Sequence, residues 1–581
     1  NEYGTEEGEE GTKPSYYQNL DGVGVINLGT LTLGVDNDDE EPLIDEGNIV
    51  AILGSENNGG VALKNSGVFN FYDGYLEGYI GLSGVFNGAP RGYYVFVDHN
   101  VERDCQKVYL IPNDGRAIAK STFASGGIIL YYDLQDGLKS SMDYHSLMAS
   151  TNEEDSEMKS QLGDAATIEI IRNDFEASYP LSVFAGKTAT LDLAGHTVPA
   201  GNTITVDGTF EVLNSVPTKG SMQISDPITN NGTLKLDGVT ISQTTDANTI
   251  ENNGTLDIKK STIRAVGGYA IKINSGTRLD MDSDTYLAAN KHALYNASNE
   301  NFTVKGGTIE AIRNDGYLTI EEGTVIKKLT SDDLTYGIIN SSSSSTLILN
   351  DLELKVNSNE KYTYAVYNEN ASAKVTVDGG ELEVTSRRSG GSLESGEGAT
   401  VIYGGVVNVI NDAILTAINP NGAARVIYGS NSITVDGGTW VANGSNVAVF
   451  AGSSVTINDG TVSAIGNNNQ YIVYNYNSSG NVVTINNTAN VSTDGTCFLM
   501  RAGTVNINSG EITCGTDFVF GSTYSNAWTN NLRNFGTVNI NGATITAGGY
   551  GIIGTGSVNL GGGTLNTINT GLYFTSDRIS S

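Results

Sequence analysis

The chain repeats one short phrase, made of an alternating strand, a turn rich in glycine, aspartate or asparagine, and a second short strand. Copies include Val375-Thr-Val-Asp-Gly-Gly-Glu-Leu382, Val455-Thr-Ile-Asn-Asp-Gly-Thr-Val462 and Val505-Asn-Ile-Asn-Ser-Gly-Glu-Ile512. A unit this short cannot bury its own apolar face, so the repeat predicts coils that stack and share one core.

Each unit closes with a third apolar stretch, such as Tyr364-Ala-Val-Tyr-Asn368. Three strands per unit predict an all-β, right-handed parallel β-helix, because parallel crossovers within one sheet are right-handed. Unit spacings run from 16 to 33 residues, so we expect surplus residues to leave as corner loops, as at 341–345, 386–398 and 522–535. The first apolar residues of fourteen proposed coils are Leu234, Leu256, Leu279, Phe302, Leu318, Leu347, Val375, Val407, Ile433, Val455, Val483, Val505, Val538 and Val558.

The repeat is strongest in the C-terminal two thirds, and this predicts four segments. Residues 1–19 are expected to be an acidic tail, and residues 20–137 an N-terminal β-rich section that is either a short β-helix or a cap. Residues 138–164 have little apolar pattern and predict a linker or an external helix, and residues 165–581 predict the β-helix itself.

Charge and cysteine content narrow the range of functions. The formal net charge is -33, so nucleic acid and anionic membrane surfaces would be repelled over most of the chain. No apolar run is long enough to span a bilayer, and we therefore expect no membrane insertion. The three cysteines, Cys105, Cys497 and Cys514, have no CxxC spacing and predict neither a zinc site nor a disulfide framework.

Three phrases carry a family resemblance: Lys187-Thr-Ala-Thr-Leu-Asp-Leu-Ala-Gly-His-Thr197, Asn231-Gly-Thr-Leu-Lys-Leu-Asp-Gly238 and Phe69-Asn-Phe-Tyr-Asp-Gly-Tyr-Leu-Glu-Gly78. They resemble the repeats of adhesin-like surface proteins of Gram-positive anaerobes, which have pectate-lyase-type right-handed parallel β-helix repeats. The resemblance covers most of the chain and implies a secreted or cell-surface protein that binds host or environmental material. Its motifs are turn and core residues, so they specify architecture and not activity.

A catalytic set is not visible in the sequence. Enzymes of the β-helix superfamily that cut polysaccharides cluster carboxylates on neighbouring coils, and polygalacturonase-like enzymes add a Gly-His-Gly motif. The nearest matches here, Gly195-His196-Thr197 and Asp332-Asp333, occur in the wrong order and without the other motifs. We assign no catalytic residue, and a lyase or hydrolase with carboxylates in the loops at 386–398 or 522–535 stays an alternative.

Two kinds of polar residue recur at fixed positions of the repeat. The turn aspartates form either a Ca²⁺-binding ladder or simple Asp-Gly turns, and the turn role is favoured because Asp before Gly suits the turn itself; these are Asp237, Asp378, Asp436 and Asp459. No other cofactor is expected. The residues that close the third strands predict an asparagine ladder, with amides hydrogen-bonded from coil to coil; they are Asn274, Asn296, Asn340, Asn368 and Asn475.

The third strands also predict an exposed aromatic track. In each third strand the aliphatic residue is expected to point inward and the residue after it outward. The pair Ile271 and Lys272 supports this direction, because the charged lysine belongs on the solvent side. Five of the outward residues would then lie on consecutive coils about 4.8 Å apart; these are Tyr367, Tyr403, Tyr428, Phe450 and Tyr474. Such a track could stack sugar rings or contact a partner protein, unless corner loops fold over it and bury the rings.

Together these features favour a noncatalytic, adhesin-like extracellular protein that binds a glycan or a surface protein. Two alternatives differ in class: a polysaccharide lyase or glycoside hydrolase, and a self-assembling fibre subunit. End-to-end association is available to a β-helix because its open ends expose unpaired strand edges.

Overall fold

In a computed structural model of the protein, the described residues are 22–34, 51–56, 60–90, 92–112, 115–151, 156–173, 175, 179–201, 203–276, 278–331, 333–521 and 534–574. The predicted acidic tail, 1–19, and most of the predicted loop at 522–535 lie outside these ranges. The protein is all-β, with 60% of its residues in strands and 4% in helices. The chain divides into two compact units, residues 1–222 and 223–581, and the predicted start of the β-helix at 165 falls inside the first unit.

The first unit mixes parallel and antiparallel strands around two helices. Its elements are β1 (Val23–Asn27), β2 (Thr30–Leu33), β3 (Ala51–Leu53), β4 (Val61–Asn65), β5 (Val68–Phe71), β6 (Tyr75–Gly78), β7 (Ile80–Gly84), β8 (Tyr93–Asn100), β9 (Cys105–Pro112), β10 (Ala119–Thr122), β11 (Ile128–Tyr131), α1 (Leu134–Ala149), α2 (Ser156–Leu162), β12 (Thr167–Ile170), β13 (Leu181–Val183), β14 (Thr188–Asp192), β15 (Thr197–Ala200), β16 (Ile204–Val206), β17 (Thr209–Leu213) and β18 (Gly220–Ile224), the last of which crosses the boundary.

Helix α1 is the main non-β element of this unit, and it accounts for much of the segment predicted as a linker or external helix. It begins after Asp133, whose carboxylate accepts hydrogen bonds from the backbone N–H groups of Gln135 and Asp136 at 2.8 and 3.2 Å. Such an N-cap satisfies donors that the first helical turn leaves free. Burial raises the pKa of Asp133 to about 6. No described helix in the protein is long and apolar enough to cross a membrane.

The second unit consists of strands that stack in parallel. They are β19 (Ile228–Asn230), β20 (Thr233–Asp237), β21 (Val239–Gln243), β22 (Ile250–Asn252), β23 (Thr255–Lys259), β24 (Thr262–Ala265), β25 (Ile271–Ile273), β26 (Arg278–Met281), β27 (Tyr286–Ala289), β28 (Leu294–Asn296), β29 (Asn301–Lys305), β30 (Thr308–Glu310), β31 (Ile312–Asn314), β32 (Tyr317–Ile320), β33 (Val325–Lys327), β34 (Leu329–Ser331), β35 (Leu334–Asn340), β36 (Thr346–Asn350), β37 (Glu353–Ser358), β38 (Tyr362–Asn368), β39 (Lys374–Asp378), β40 (Glu381–Ser386), β41 (Gly398–Tyr403), β42 (Val406–Ile410), β43 (Ile414–Tyr428), β44 (Ser432–Ala451), β45 (Val455–Ser479), β46 (Val482–Ile485), β47 (Asn490–Thr493), β48 (Thr496–Arg501), β49 (Gly503–Ile507), β50 (Glu511–Cys514), β51 (Val519–Gly521), β52 (Asn534–Ile540), β53 (Thr544–Ala547), β54 (Ile552–Leu560), β55 (Thr564–Thr567) and β56 (Leu572–Phe574).

These strands form columns in which each strand pairs in parallel with the equivalent strand of the next repeat. One column runs through β36, β39, β42 and β44, a second through β37, β40 and β43, and a third through β35, β38 and β41. Strands β43, β44 and β45 are longer because they continue around a corner from one column into another. The arrangement is consistent with a β-helix-like solenoid.

The predicted coil anchors lie on paired positions of the first column. From Leu318 to Val558 each anchor is the register partner of the next. The register differs from the prediction at one step, because Leu279 lies opposite Val304 and not opposite Phe302. A shift of two residues keeps the same side chains inward, so the apolar core continues across it. The anchors from Leu234 to Val538 are at most 2% exposed.

A buried asparagine ladder is present, but its members differ from those predicted. The Asn296 amide donates to Asn314, Asn314 to Asn340, and Asn340 to Asn368, over 2.8 to 2.9 Å. Asn274 is not a member, because Ile273 occupies the register position between Asn252 and Asn296. Asn475 is buried but bonds to Ser453 and to the Met500 sulfur, so it does not extend the ladder.

The expectation that no disulfide forms is wrong. Cys497 in β48 and Cys514 in β50 are joined by a disulfide, with their Cα atoms 5.6 Å apart. The residues are 17 positions apart in sequence, and the coil brings them together across its interior. Cys105 is a buried free thiol whose pKa burial raises to about 12.

Candidate functional site

Tyrosines line the outward side of the third column in the second unit. Tyr367 in β38 is the register partner of Tyr403 in β41, and Tyr403 is the partner of Tyr428 in β43. Parallel in-register pairing repeats the same side-chain direction at each step, so the three rings point the same way. All three side chains are partly exposed, and we call the outward surface of this column between Tyr336 and Tyr474 the tyrosine face.

The rings of the tyrosine face stack on one another. Ring centroids are 5.1 Å apart for Tyr367 and Tyr403 and 5.6 Å apart for Tyr403 and Tyr428, with interplanar angles of 38° for both pairs. Distances in this range are typical of favourable aromatic pairs. Because Tyr403 has a ring on either side, its faces are largely covered, and a ligand would contact ring edges and hydroxyl groups. This differs from the expected flat platform for sugar rings.

Phe450 is not part of this face, contrary to the prediction. Its register partners are Ile427 and Val473, both of which point into the core, and Phe450 is 0% exposed. The ring packs 5.4 Å from that of Trp440, so the large side chain fills core volume. Ala451 takes the outward position between Tyr428 and Tyr474.

A second row of tyrosines, which the sequence interpretation missed, lies beside the first. Tyr336 and Tyr364 are register partners, and they lie in the third strands three residues before the outward positions. Ala365 and Val366 are both buried, so strict alternation breaks down here, and Tyr364, although only 3% exposed, packs on the same side of the strand as Tyr367. The two rings stack 5.4 Å apart at 7°. The sequence feature that could have indicated this second row is the tyrosine that recurs at the start of the third-strand phrase, as in Tyr364-Ala-Val-Tyr-Asn368.

The tyrosine face ends on its N-terminal side at a buried histidine. The Tyr336 hydroxyl and His292 Nε2 are 2.9 Å apart, and their rings stack at 5.7 Å. Burial, together with the positive charge of Arg313, lowers the pKa of His292 to about 4. The imidazole is therefore neutral at physiological pH and acts as a hydrogen-bond partner that fixes the Tyr336 ring.

The loop at 386–398 covers the other end of the face. Leu393 is 6% exposed and packs against Ala423, Ala448 and Ala451, with Tyr428, Tyr471 and Tyr474 around it. Gly396 has a φ of +72°, and a Cβ there would lie 3.3 Å from both the Tyr364 hydroxyl and Tyr428 Cε1. The loop backbone can approach the rings this closely because the residue is glycine.

Arg425 holds this loop in place through hydrogen bonds. Its guanidinium donates to the carbonyls of Ser392, Leu393 and Glu397, and to the Thr400 hydroxyl. The side chain is 0% exposed, and its described hydrogen-bond partners are all neutral oxygens. Burial lowers the Arg425 pKa to about 10, and the neighbouring tyrosines and the Glu397 carboxylate oppose this effect only in part. The guanidinium also lies 5.2 Å from the centre of the Tyr428 ring.

The hydroxyl groups distinguish two halves of the face. The Tyr428 hydroxyl donates to the Glu394 carbonyl, and the Tyr474 hydroxyl donates to Glu394 Oε1 at 2.9 Å. Burial and the nearby Glu394 carboxylate raise the pKa of Tyr474. Within the described ranges, the hydroxyls of Tyr367 and Tyr403 have no hydrogen-bond partner. We call Tyr367 and Tyr403 the open half and Tyr428 and Tyr474 the covered half.

The geometry of the described residues gives little support to the metal site and the catalytic site that the sequence left as alternatives. Among the described residues, no group of three or more His, Cys, Asp or Glu side chains is placed to hold a metal ion. The turn aspartates do not form a ladder, because Asp378 lies opposite Ile410 and Asp237 opposite Lys259, although Asp436 does pair with Asp459.

The histidine and carboxylate positions singled out for catalysis are also separated. His196 lies in the first unit, 3.3 Å from the Asn173 amide oxygen, and Asp332 falls outside the described residues. In the loop at 386–398, Glu394 bonds to Tyr474 and Glu397 forms an ion pair with Lys361 at 3.3 Å. These carboxylates hold the loop and do not form an acid–base pair.

Comparison of the chain with protein-family models, with curated proteins and with solved structures finds no match.

Proposed function

We propose that this protein is a noncatalytic, adhesin-like extracellular protein that binds a glycan or a surface protein through its tyrosine face. The observation that carries the proposal is the in-register stack of Tyr367, Tyr403 and Tyr428, in which the hydroxyls of the open half have no partner in the described structure. Tyrosine combines a large apolar ring with a polar tip, which makes it a frequent residue at binding surfaces.

The stack favours a particular mode of contact. Hydroxyls that repeat once per coil form a row of hydrogen-bond donors and acceptors, flanked by the edges of apolar rings. Glycan hydroxyls and peptide backbone groups both match such a row. The rings are also held by one another, so little side-chain freedom is lost when a ligand binds.

The fold that would present this face is a right-handed parallel β-helix with three strands per coil. Three columns of parallel strands support the strand count, and the rule on parallel crossovers supports the hand. A scaffold of this kind gives rigid, regularly spaced surface positions, and insertions leave at its corners.

A secreted or cell-surface location accompanies this proposal. The disulfide between Cys497 and Cys514 supports it, because structural disulfides persist in oxidising compartments. The net charge of -33 disfavours nucleic acid as the partner.

A binding array of glycans and extracellular-matrix proteins tests the proposal. The double variant Tyr367→Ala/Tyr403→Ala is expected to lose at least tenfold in affinity for the ligand that the unmodified protein binds, because about 1.4 kcal/mol of contact energy gives that factor. Tyr317→Ala is the matched control, since Tyr317 is a partly exposed tyrosine on β32 in a different column. Equal binding by the double variant and the control would remove the tyrosine face from the function.

A further inference from the structure

The loop segment Ser392-Leu393-Glu394 contacts the covered half of the tyrosine face in the way a bound peptide would. Its side chains and backbone make three kinds of contact at once: an apolar side chain in a notch, carbonyls on a guanidinium, and a carboxylate on a hydroxyl. Peptide-recognition sites combine the same elements, with backbone groups giving affinity and pockets giving specificity.

The notch that receives Leu393 is built for an apolar side chain. Its floor is formed by the small side chains of Ala423, Ala448 and Ala451, all 0% exposed, and Tyr428, Tyr471 and Tyr474 pack around it. The neighbouring coils carry tyrosine where Ala451 stands, so the gap is specific to one level of the stack. Without Leu393, this apolar surface would lie open to water.

Arg425 supplies the second element of recognition. It is a fully buried cation with four described partners: three carbonyls of the loop and the hydroxyl of Thr400 in β41. Burying a cation is costly, and here hydrogen bonds to the loop carbonyls offset part of that cost. The five N–H donors of the guanidinium can serve several backbone carbonyls of one segment at once.

The loop is attached in a way that allows it to leave. Ser389, Gly390, Ser392, Glu394 and Ser395 are exposed, and only Leu393 and Gly396 between residues 387 and 397 are buried. The segment is anchored at its ends by the bridge between Gly390 and Gly422 and by the ion pair of Glu397 with Lys361, and between these anchors it is fixed by contacts on one side only. Low-stability segments of this kind open locally while the rest of the fold stays intact.

We propose that the notch between Tyr428 and Tyr474 is a peptide-binding site which the loop occupies in cis, and which accepts in trans an extended segment carrying an apolar residue directly followed by a carboxylate. The inference rests on the proposed function, since it names a partner class for one half of the tyrosine face. The loop then competes with the partner, so the site is open only while the loop is released.

The experiment uses the full chain with the double substitution Leu393→Gly/Glu394→Gly, which keeps the loop length and removes its two side-chain anchors. The probe is a synthetic peptide with the sequence of residues 390–398, labelled with a fluorophore and titrated by fluorescence anisotropy. We expect the peptide to bind the double variant at least tenfold more tightly than the unmodified protein. Peptides with Leu393→Ala or Glu394→Gln should each bind at least tenfold more weakly than the parent peptide.

Three results would overturn the proposal. One is absence of peptide binding when hydrogen exchange shows that the loop of the double variant is released. Another is equal binding of the parent peptide and a scrambled peptide. The third is preference of the released site for an oligouronate over the peptide, which would make the ligand an acidic glycan. The double variant leaves Tyr367 and Tyr403 unchanged, so its array binding separately reports whether the open half functions.

Discussion

The open and covered halves of the tyrosine face have the same sequence pattern and different surroundings. Tyr403 and Tyr428 are register partners with stacked rings, yet no described group hydrogen-bonds to the Tyr403 hydroxyl while the Glu394 carbonyl accepts from the Tyr428 hydroxyl. The difference comes from one loop that returns across the column. Period and register thus decide where a side chain points, and an insertion at a corner decides whether that side chain meets solvent.

Between its anchors at Gly390 and Glu397, the loop is held on the covered half by few contacts. One apolar side chain, one guanidinium and two tyrosine hydroxyls make most of its described contacts with the face. Each contact can be removed singly, and the open half serves as an internal reference that should not respond.

The largest effect is expected for Arg425→Leu. This change leaves the carbonyls of Ser392, Leu393 and Glu397 without their donor, and charge-assisted hydrogen bonds contribute about 1.5–3 kcal/mol each. Amide exchange in residues 389–397 should accelerate by roughly a hundredfold, which corresponds to about 3 kcal/mol of local stability. Global stability should change less, because the substitution also removes a buried charge whose desolvation is only partly offset.

Hydrogen exchange followed by mass spectrometry measures this response. Arg387→Leu is the control, since Arg387 is an exposed arginine of the same loop. Unchanged exchange in residues 389–397 of Arg425→Leu would show that Arg425 does not hold the loop.

The next effect is that of Leu393→Ala. Removing the side chain leaves the notch above Ala448 and Ala451 unfilled, and truncation of a buried leucine costs about 2 kcal/mol or more. Loop exchange should then rise by roughly thirtyfold at a cost of about 2 kcal/mol. Ser389→Ala, at an exposed position of the loop, should leave the rate unchanged. A similar rate for the two variants would contradict the packing of Leu393 in the notch.

A smaller effect follows from Gly396→Ala. The new methyl group would meet both the Tyr364 hydroxyl and the Tyr428 ring at a φ of +72°, and strain of this kind costs about 1 kcal/mol. Gly390→Ala separates the two causes, because Gly390 has a φ of +81° with open space around it. Loop exchange should be faster in Gly396→Ala than in Gly390→Ala, and equal rates would exclude close approach to the rings.

The smallest expected effect is a dependence on alkaline pH. Burial and Glu394 raise the pKa of Tyr474 above that of an unfolded tyrosine, so the neutral form stabilises the folded state. That contribution is complete below about pH 10 and is lost as the pH rises further. Between about pH 8 and pH 10.5, the unmodified protein should lose about 0.5 kcal/mol more than Tyr474→Phe, after allowance for solvent screening. Chemical denaturation at the two pH values measures this, and a parallel loss in both proteins would refute it.

Much of the fold could be predicted because the alternation of apolar and polar residues repeats from coil to coil. Alternation around residues such as Val375 and Ile507 fixes inward and outward positions, and thirteen of the fourteen predicted anchors are at most 2% exposed. Among the anchors, the one difference in register, at Leu279, is a two-residue shift that leaves the hydrophobic pattern unchanged, so the sequence contains no signal for it.

The candidate site was predicted less completely, for two physical reasons. The sequence pattern predicts an outward Phe450 because an aromatic residue follows an aliphatic one in that strand. In the structure the Phe450 ring instead packs beside Trp440 and fills core volume. The contact of Leu393 with the notch depends on the path of a loop, which no periodicity encodes. The disulfide was missed because Cys497 and Cys514 meet only once the coil has closed.

Tyrosine nitration with tetranitromethane, mapped by peptide mass spectrometry on the native protein, tests the contrast between the two halves most directly. We expect Tyr367 and Tyr403 to be modified first, and Tyr428 and Tyr474 to react only after the loop is released by Arg425→Leu or Leu393→Ala. Equal reactivity of all four tyrosines in the unmodified protein, or protection of Tyr367 and Tyr403, would contradict it.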